Sequence, residues 1–155
     1  MTIEVIGKGL EVAEENPLVV KNHKDITHFH TYGGLTPFFR GLVQGKLMAT
    51  RCPRCRGAEL WLPPRTHCPD CIEPMQWEAA PLEGKVYTHS TVQYPGAGFK
   101  LTSPCPLISV ELPGVCTKLM SYLQDGTPHI GMPVRAVFRK ENPTHTILDL
   151  AWVPL

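Results

Sequence analysis

Residues 51–71, RCPRCRGAELWLPPRTHCPDC, constrain this chain more than any other stretch, because they carry two CxxC pairs. Cys52/Cys55 and Cys68/Cys71 are separated by twelve residues. A CxxC turn aims both of its sulfurs into one cup, so each pair supplies half of a tetrahedral four-sulfur site. Thiolates at about 2.3 Å suit Zn²⁺, and a closed shell of four leaves no open position for water or substrate. Pro53 and Pro69 each follow the first cysteine of a pair. Their fixed φ and missing N–H suit a tight turn whose other amides point at sulfur. The pattern therefore predicts a structural zinc ribbon, a staple rather than a reaction centre.

Two other readings use the same cysteines. A thioredoxin-type redox pair belongs in a βαβ context, and the flanking sequence offers none. A rubredoxin-like iron site takes the same four ligands, so the residues leave zinc and iron both open, with zinc favoured by the duplicated spacing. The formal charge is +1, and four thiolates with one Zn²⁺ bring the chain to about −1. That balance speaks against a general nucleic-acid binder, which carries a pronounced basic patch. Sixteen prolines and thirteen glycines imply many turns and little helix.

The first residues, MTIEVIGKGLEVAEENP, have neither the basic nor the apolar region of a secretory signal, and no apolar run approaches a membrane span. With Cys105 and Cys116 left as core residues or free thiols, a cytoplasmic location is expected. Residues 1–31 show no sustained periodicity and read as an extended arm, with short strands at Thr2–Ile6 and Leu18–Val20. His28 and His30 would share one side of a strand, but with no third ligand nearby they read as surface histidines.

A short helix is expected from Thr36 as N-cap, through Pro37 at the first helical position, to Gly45 at the far end. Its apolar cluster of Phe38, Phe39, Leu42 and Val43 must dock on something, because nine residues are too few for a stable isolated helix. Docking on the chain's own domain and docking on a partner, with Phe38, Phe39 and Leu42 as anchors, are equally compatible with the pattern. Lys46–Thr50 and Glu59–Leu62 read as the two strands of the ribbon hairpin, with Met75–Glu78 as one more. Arg51, Arg54, Arg56 and Arg65 crowd this module, either offsetting the charge of the metal–thiolate centre or forming a local anion site.

From residue 82 the pattern is β. Gly84–Tyr94, Leu107–Leu112, Val115–Leu123, Pro133–Arg139 and Thr146–Val153 make five strands, the count and size of a small OB-like Greek-key barrel. In the first of them Val86, Thr88, Ser90, Val92 and Tyr94 alternate with Tyr87, His89, Thr91 and Gln93. The Gly/Pro-rich stretch Pro95–Pro106 is long enough for a binding loop. The expected organisation is mainly β: an arm (1–31), a helix plus four-cysteine ribbon (32–79) and a five-stranded OB-fold domain (80–155).

From about Gly33 onward the chain resembles the DUF35 family, acyl-CoA-associated OB-fold proteins with a rubredoxin-like zinc ribbon. The residues carrying the resemblance are Pro37-Phe38-Phe39, Gly45-Lys46-Leu47, Arg51-Cys52-Pro53-Arg54-Cys55, Pro63-Pro64-Arg65, Cys68-Pro69-Asp70-Cys71 and Trp77. It continues through Gly84-Lys85-Val86-Tyr87-Thr88, the loop around Phe99 and Ile130-Gly131-Met132-Pro133-Val134. Arg56-Gly57 departs from the family, where glycine more often follows the second cysteine directly. The resemblance implies a partner of thiolase-fold enzymes (acyl-CoA thiolases, HMG-CoA synthase, thiolase-like aldolases), in which the enzyme chain supplies the nucleophile and the small chain supports the acyl-CoA site.

The residues agree with that implication. Cys105 and Cys116 have no identifiable base partner, and His89 is a lone strand histidine. The expected function is a non-catalytic accessory subunit in a hetero-oligomer, holding structural Zn²⁺ at Cys52, Cys55, Cys68 and Cys71. Phe99, Lys100, Arg54 and Arg65 are its candidates for bordering bound coenzyme A thioester. The competing reading is a zinc-ribbon and OB module for single-stranded nucleic acid.

Overall fold

The computed structural model describes residues 10–13, 19–22, 29–94 and 101–155. It divides into two compact units, Met1–Thr31 and Tyr32–Leu155. In the first, β1 (Leu10–Ala13) and β2 (Val19–Asn22) pair antiparallel with Leu10 opposite Asn22. The stretch read as an extended arm thus contains a two-stranded pairing, while the strand expected at Thr2–Ile6 lies outside the described residues.

The second unit starts with a 3-10 turn, Gly33–Leu35, that runs directly into α1 (Thr36–Val43). Because the chain is already helical at Leu35, that residue and not Thr36 is the N-cap, and the Thr36 hydroxyl donates to Gly33 O at 2.6 Å instead. The far end closes as the sequence predicts. Gly45 has φ +77°, its N–H donates to Leu42 O and the Lys46 N–H donates to Gly41 O, a Schellman arrangement that side chains with a Cβ disfavour. Phe38 and Leu42 are buried in the chain's own core and Phe39 stacks on Tyr32 at 3.6 Å. Of the two dockings the pattern left open, Phe38 and Leu42 take the one on the chain's own core, so as buried side chains they are not exposed anchors for a partner.

β3 (Met48–Arg51) pairs antiparallel with β4 (Gln76–Ala79), Thr50 opposite Trp77. The hairpin partner predicted from the sequence, Glu59–Leu62, meets β3 only through one Thr50–Trp61 bridge. Pro63 and Pro64 follow at once, and without N–H groups they cannot continue a ladder. Leu60 turns the other way and bridges to Val115, while the Thr117 hydroxyl bonds both the N–H and the carbonyl of Leu62. The Val115–Thr117 segment, read as part of a barrel strand, ties the ribbon to the barrel instead.

The barrel comprises β5 (Glu83–Val92), β6 (Cys105–Glu111), β7 (Lys118–Leu123), β8 (Pro133–Phe138) and β9 (Leu150–Pro154), closed in the order β5-β6-β7-β9-β8. All neighbours are antiparallel except β7 and β9, which run parallel with Tyr122 opposite Ala151. This is the five-stranded closed barrel expected from the sequence. Closure is tight at Gly84, where a Cβ would collide with the Glu111 carbonyl oxygen. Inside lie Trp152, Leu150, Ile108, Val110, Val86, Val134 and Leu119, continuous with Leu42, Leu47, Ala49, Leu60 and Leu62 from the helix and ribbon. The alternation predicted for β5 stops after Val86. A register shift between Val86 and Thr88 breaks the period, and Tyr87 to Thr91 are all exposed.

Candidate metal centre

The two CxxC turns meet. Cys52, Cys55, Cys68 and Cys71 bring their sulfurs within 4.8 Å of one another. Cys52 Sγ lies 3.5 Å from Cys71 Sγ, and Cys55 Sγ lies 3.7 Å from Cys71 Sγ and 3.9 Å from Cys68 Sγ. A tetrahedron with metal–sulfur bonds of about 2.3 Å sets its sulfurs about 3.8 Å apart, so the donor set fits a closed four-thiolate ion such as zinc. Disulfides are ruled out by separations far above the bonding distance of about 2.05 Å.

Backbone amides tune the site. The Cys55 N–H points at Cys52 Sγ from 3.4 Å and, against burial, pulls the Cys52 thiol down to about 7. Hydrogen bonds with Cys52, Cys71 and Cys68 push Cys55 up to about 12. A dication held by these four sulfurs would hold them all as thiolates. Behind the cup, Cys68 N–H donates to Glu73 O and Ile72 N–H to Cys68 O, which fixes the second turn. Cys52, Cys68 and Met75 form a small buried cluster of their own, covered by Ala58 and Trp61.

The arginines of the module have separate duties. Arg51 donates to Glu78 across the β3–β4 pair at 2.8 Å and also to the Ala58 carbonyl, holding the first turn to the hairpin. Arg54 is largely exposed, with Glu73 at 3.9 Å. Arg65 stacks 4.6 Å above the Trp61 ring, and its N–H donates to Thr50 Oγ1 at 3.0 Å. It lines a cleft of about 310 Å³ with Leu35, Pro64, Thr66 and His67. Thr50, 1% exposed, is a residue the motif reading missed: its hydroxyl accepts from Arg65 and approaches Met75 Sδ at 3.9 Å.

Phe99 and Lys100 lie outside the described residues. The described end of their loop, Leu101 and Thr102, lines a cleft of about 410 Å³ with Tyr122, Gln124 and Arg139. Cys105, read as a loop residue, opens β6 and is buried, which pushes its thiol up. Cys116 is exposed; partial burial and Glu59 raise its thiol, whose hydrogen points at Leu60 O. Neither has a histidine or carboxylate hydrogen-bonded to it among the described residues. His89 stands exposed on β5.

Residues 77–139 match the family model described as the ChsH2 C-terminal OB-fold domain. A solved structure described as "Ltp2-ChsH2(DUF35) aldolase" is similar with a TM-score of 0.62 and 28% identity, covering 76% of this chain and 91% of that one. In its OB-fold segment and in its fold the chain is similar to DUF35 proteins. A DUF35-family protein of unknown function from Sulfolobus solfataricus has the same fold, with a TM-score of 0.58, 20% identity and coverage of 79% and 87%. No helix among the described residues is long and apolar enough to cross a membrane.

Proposed function

We propose that this DUF35-like chain is a non-catalytic accessory subunit of a thiolase-fold enzyme, of thiolase or aldolase type, that makes or breaks carbon–carbon bonds on acyl-CoA. The observation that carries this reading is the similarity, over 76% of this chain and 91% of that one, to a chain of the structure described as "Ltp2-ChsH2(DUF35) aldolase". The chemistry of the chain supports it. The sulfur cup is a closed shell with no open position. Both remaining thiols are raised by burial and have no hydrogen-bonded base among the described residues, so neither resembles an activated nucleophile. The partner enzyme then supplies the nucleophile and the acid–base groups. Structural zinc keeps the ribbon rigid against the barrel. The loop ending at Leu101 and Thr102, with Phe99 and Lys100, borders the coenzyme A thioester, and Arg65 and Arg54 offer charge for its phosphates.

The test is purification of the tagged full chain from its native source, with mass spectrometry of co-eluting proteins and metal analysis. A stoichiometric thiolase-like subunit together with zinc is the expected result. Recovery of the chain alone, or with nucleic acid, would overturn the proposal.

A further inference from the structure

β5 is held on both edges only at its start. Glu83, Gly84 and Lys85 pair with β8, and Val86 bonds Gly131 and Met132 through its backbone. Beyond the register shift the strand continues on β6 alone, from Thr88 opposite Ser109 to Val92 opposite Cys105. Its other edge, Tyr87–Val92, has no backbone partner among the described residues. Five consecutive exposed residues, Tyr87 to Thr91, mean that both faces of this segment also stand in water.

Such an edge is a ready template for another strand, and soluble proteins usually blunt it with lysine, proline or a covering element. None of those residue types occurs from Val86 to Tyr94, and neither do arginine, aspartate or glutamate. The residues there are threonine, valine, tyrosine, histidine, serine and glutamine, mostly good strand formers. Tyr94 (80% exposed) stands just past the strip and would cover apolar side chains of an added strand, while Tyr87 (55% exposed) opens it with its ring 5.1 Å from Lys118 Nζ.

We infer that the free edge of β5, Tyr87–Val92, is the surface to which the enzyme subunit adds an extended, largely uncharged segment by β-augmentation. The inference rests on the accessory-subunit reading, which requires a protein-binding surface. Apart from Lys118 over Tyr87 at its start, the strip opposes no charged side chain of its own to a neutral strand, and from Thr88 to Val92 it supplies none for a charged partner to pair with.

Hydrogen exchange of the full chain, alone and in the complex recovered with it, tests the inference. Amides within Tyr87–Val92 are expected to exchange at least about tenfold more slowly in the complex. Ser90→Pro and Thr91→Pro complete the test. Successive amides of a strand alternate in direction, so one substitution removes an outward N–H and the other an N–H bonded to β6. The outward one should leave zinc content and melting intact yet abolish capture of the enzyme subunit. If no enzyme subunit accompanies the wild-type chain, the function proposed above fails and this inference with it. If the subunit is present but exchange within 87–92 is unchanged, only the β5 edge is refuted. Protection in the isolated chain, with a dimer in sedimentation, would assign the edge to a second copy and overturn the inference equally.

Discussion

The ribbon tip and the barrel are held together by different physics. The barrel encloses Trp152, Leu150, Ile108, Val110 and Val134, all at zero exposure, inside a sheet that closes on itself. Around its sulfurs the tip packs a buried cluster of just Cys52, Cys68 and Met75, with Arg51 and Arg54 reaching carboxylates across its surface. So small a cluster cannot offset the chain entropy of two knuckles and the twelve-residue excursion between them. A metal held by the four sulfurs would supply what packing cannot. The base of the ribbon is a different matter, since Leu47, Ala49, Leu60 and Leu62 belong to the barrel's own core. Dependence on metal should therefore fade within a few residues of the cysteines.

The largest difference between tip and barrel is expected on removal of metal from the four-sulfur site. Structural zinc is worth on the order of 10 kcal/mol in zinc-finger peptides. Chelation, or Cys52→Ser with Cys68→Ser, is expected to abolish metal binding and make amides 52–58 and 66–75 exchange freely, while Leu60 and Leu62 stay protected with the barrel. The barrel should keep a cooperative melting transition, checked by calorimetry. Loss of both regions together would show that the barrel too depends on the metal.

Trp152→Ala probes the other half. Opening a cavity of that size should cost about 3–5 kcal/mol and lower the Tm by roughly 10 °C or more, with metal content unchanged. Trp152→Phe should cost less, because the indole Nε1 it removes is buried and has no hydrogen-bond partner among the described residues.

A smaller effect is expected at Asp149, 1% exposed in the turn leading to β9. Its carboxylate accepts from Thr144 N, Thr144 Oγ1 and His145 N at 2.7–2.8 Å. Asp149→Ala leaves these donors unpaired and should cost about 2–3 kcal/mol in denaturant unfolding. The loss should be confined to the barrel, with metal retention at the tip unaltered.

Local patterns were legible wherever one residue type forces one geometry. The cysteine spacing predicted the cup, Gly45 predicted the helix end, and five runs of strand formers predicted five strands. Misreadings fell where a residue's role is set by something distant in sequence. Thr117 looked like a strand interior until Leu62 claimed its hydroxyl, and Thr146 looked like the start of β9 until its side chain capped the Ile147–Asp149 turn. Phe38 and Leu42 could equally have faced a partner. Only the position of the barrel core behind α1 decided that they do not.

The sequence alone determined the metal-ligand set, the β-rich barrel and the lack of charge along Tyr87–Val92, because each follows from residue type and spacing. Tertiary structure decided which strands pair: β4 rather than Glu59–Leu62 on β3, β9 parallel to β7, and, among the described residues, nothing on the outer edge of β5 past Val86. Pairing depends on where a closing barrel brings backbones of distant sequence, and side-chain alternation records only which face of a strand is buried.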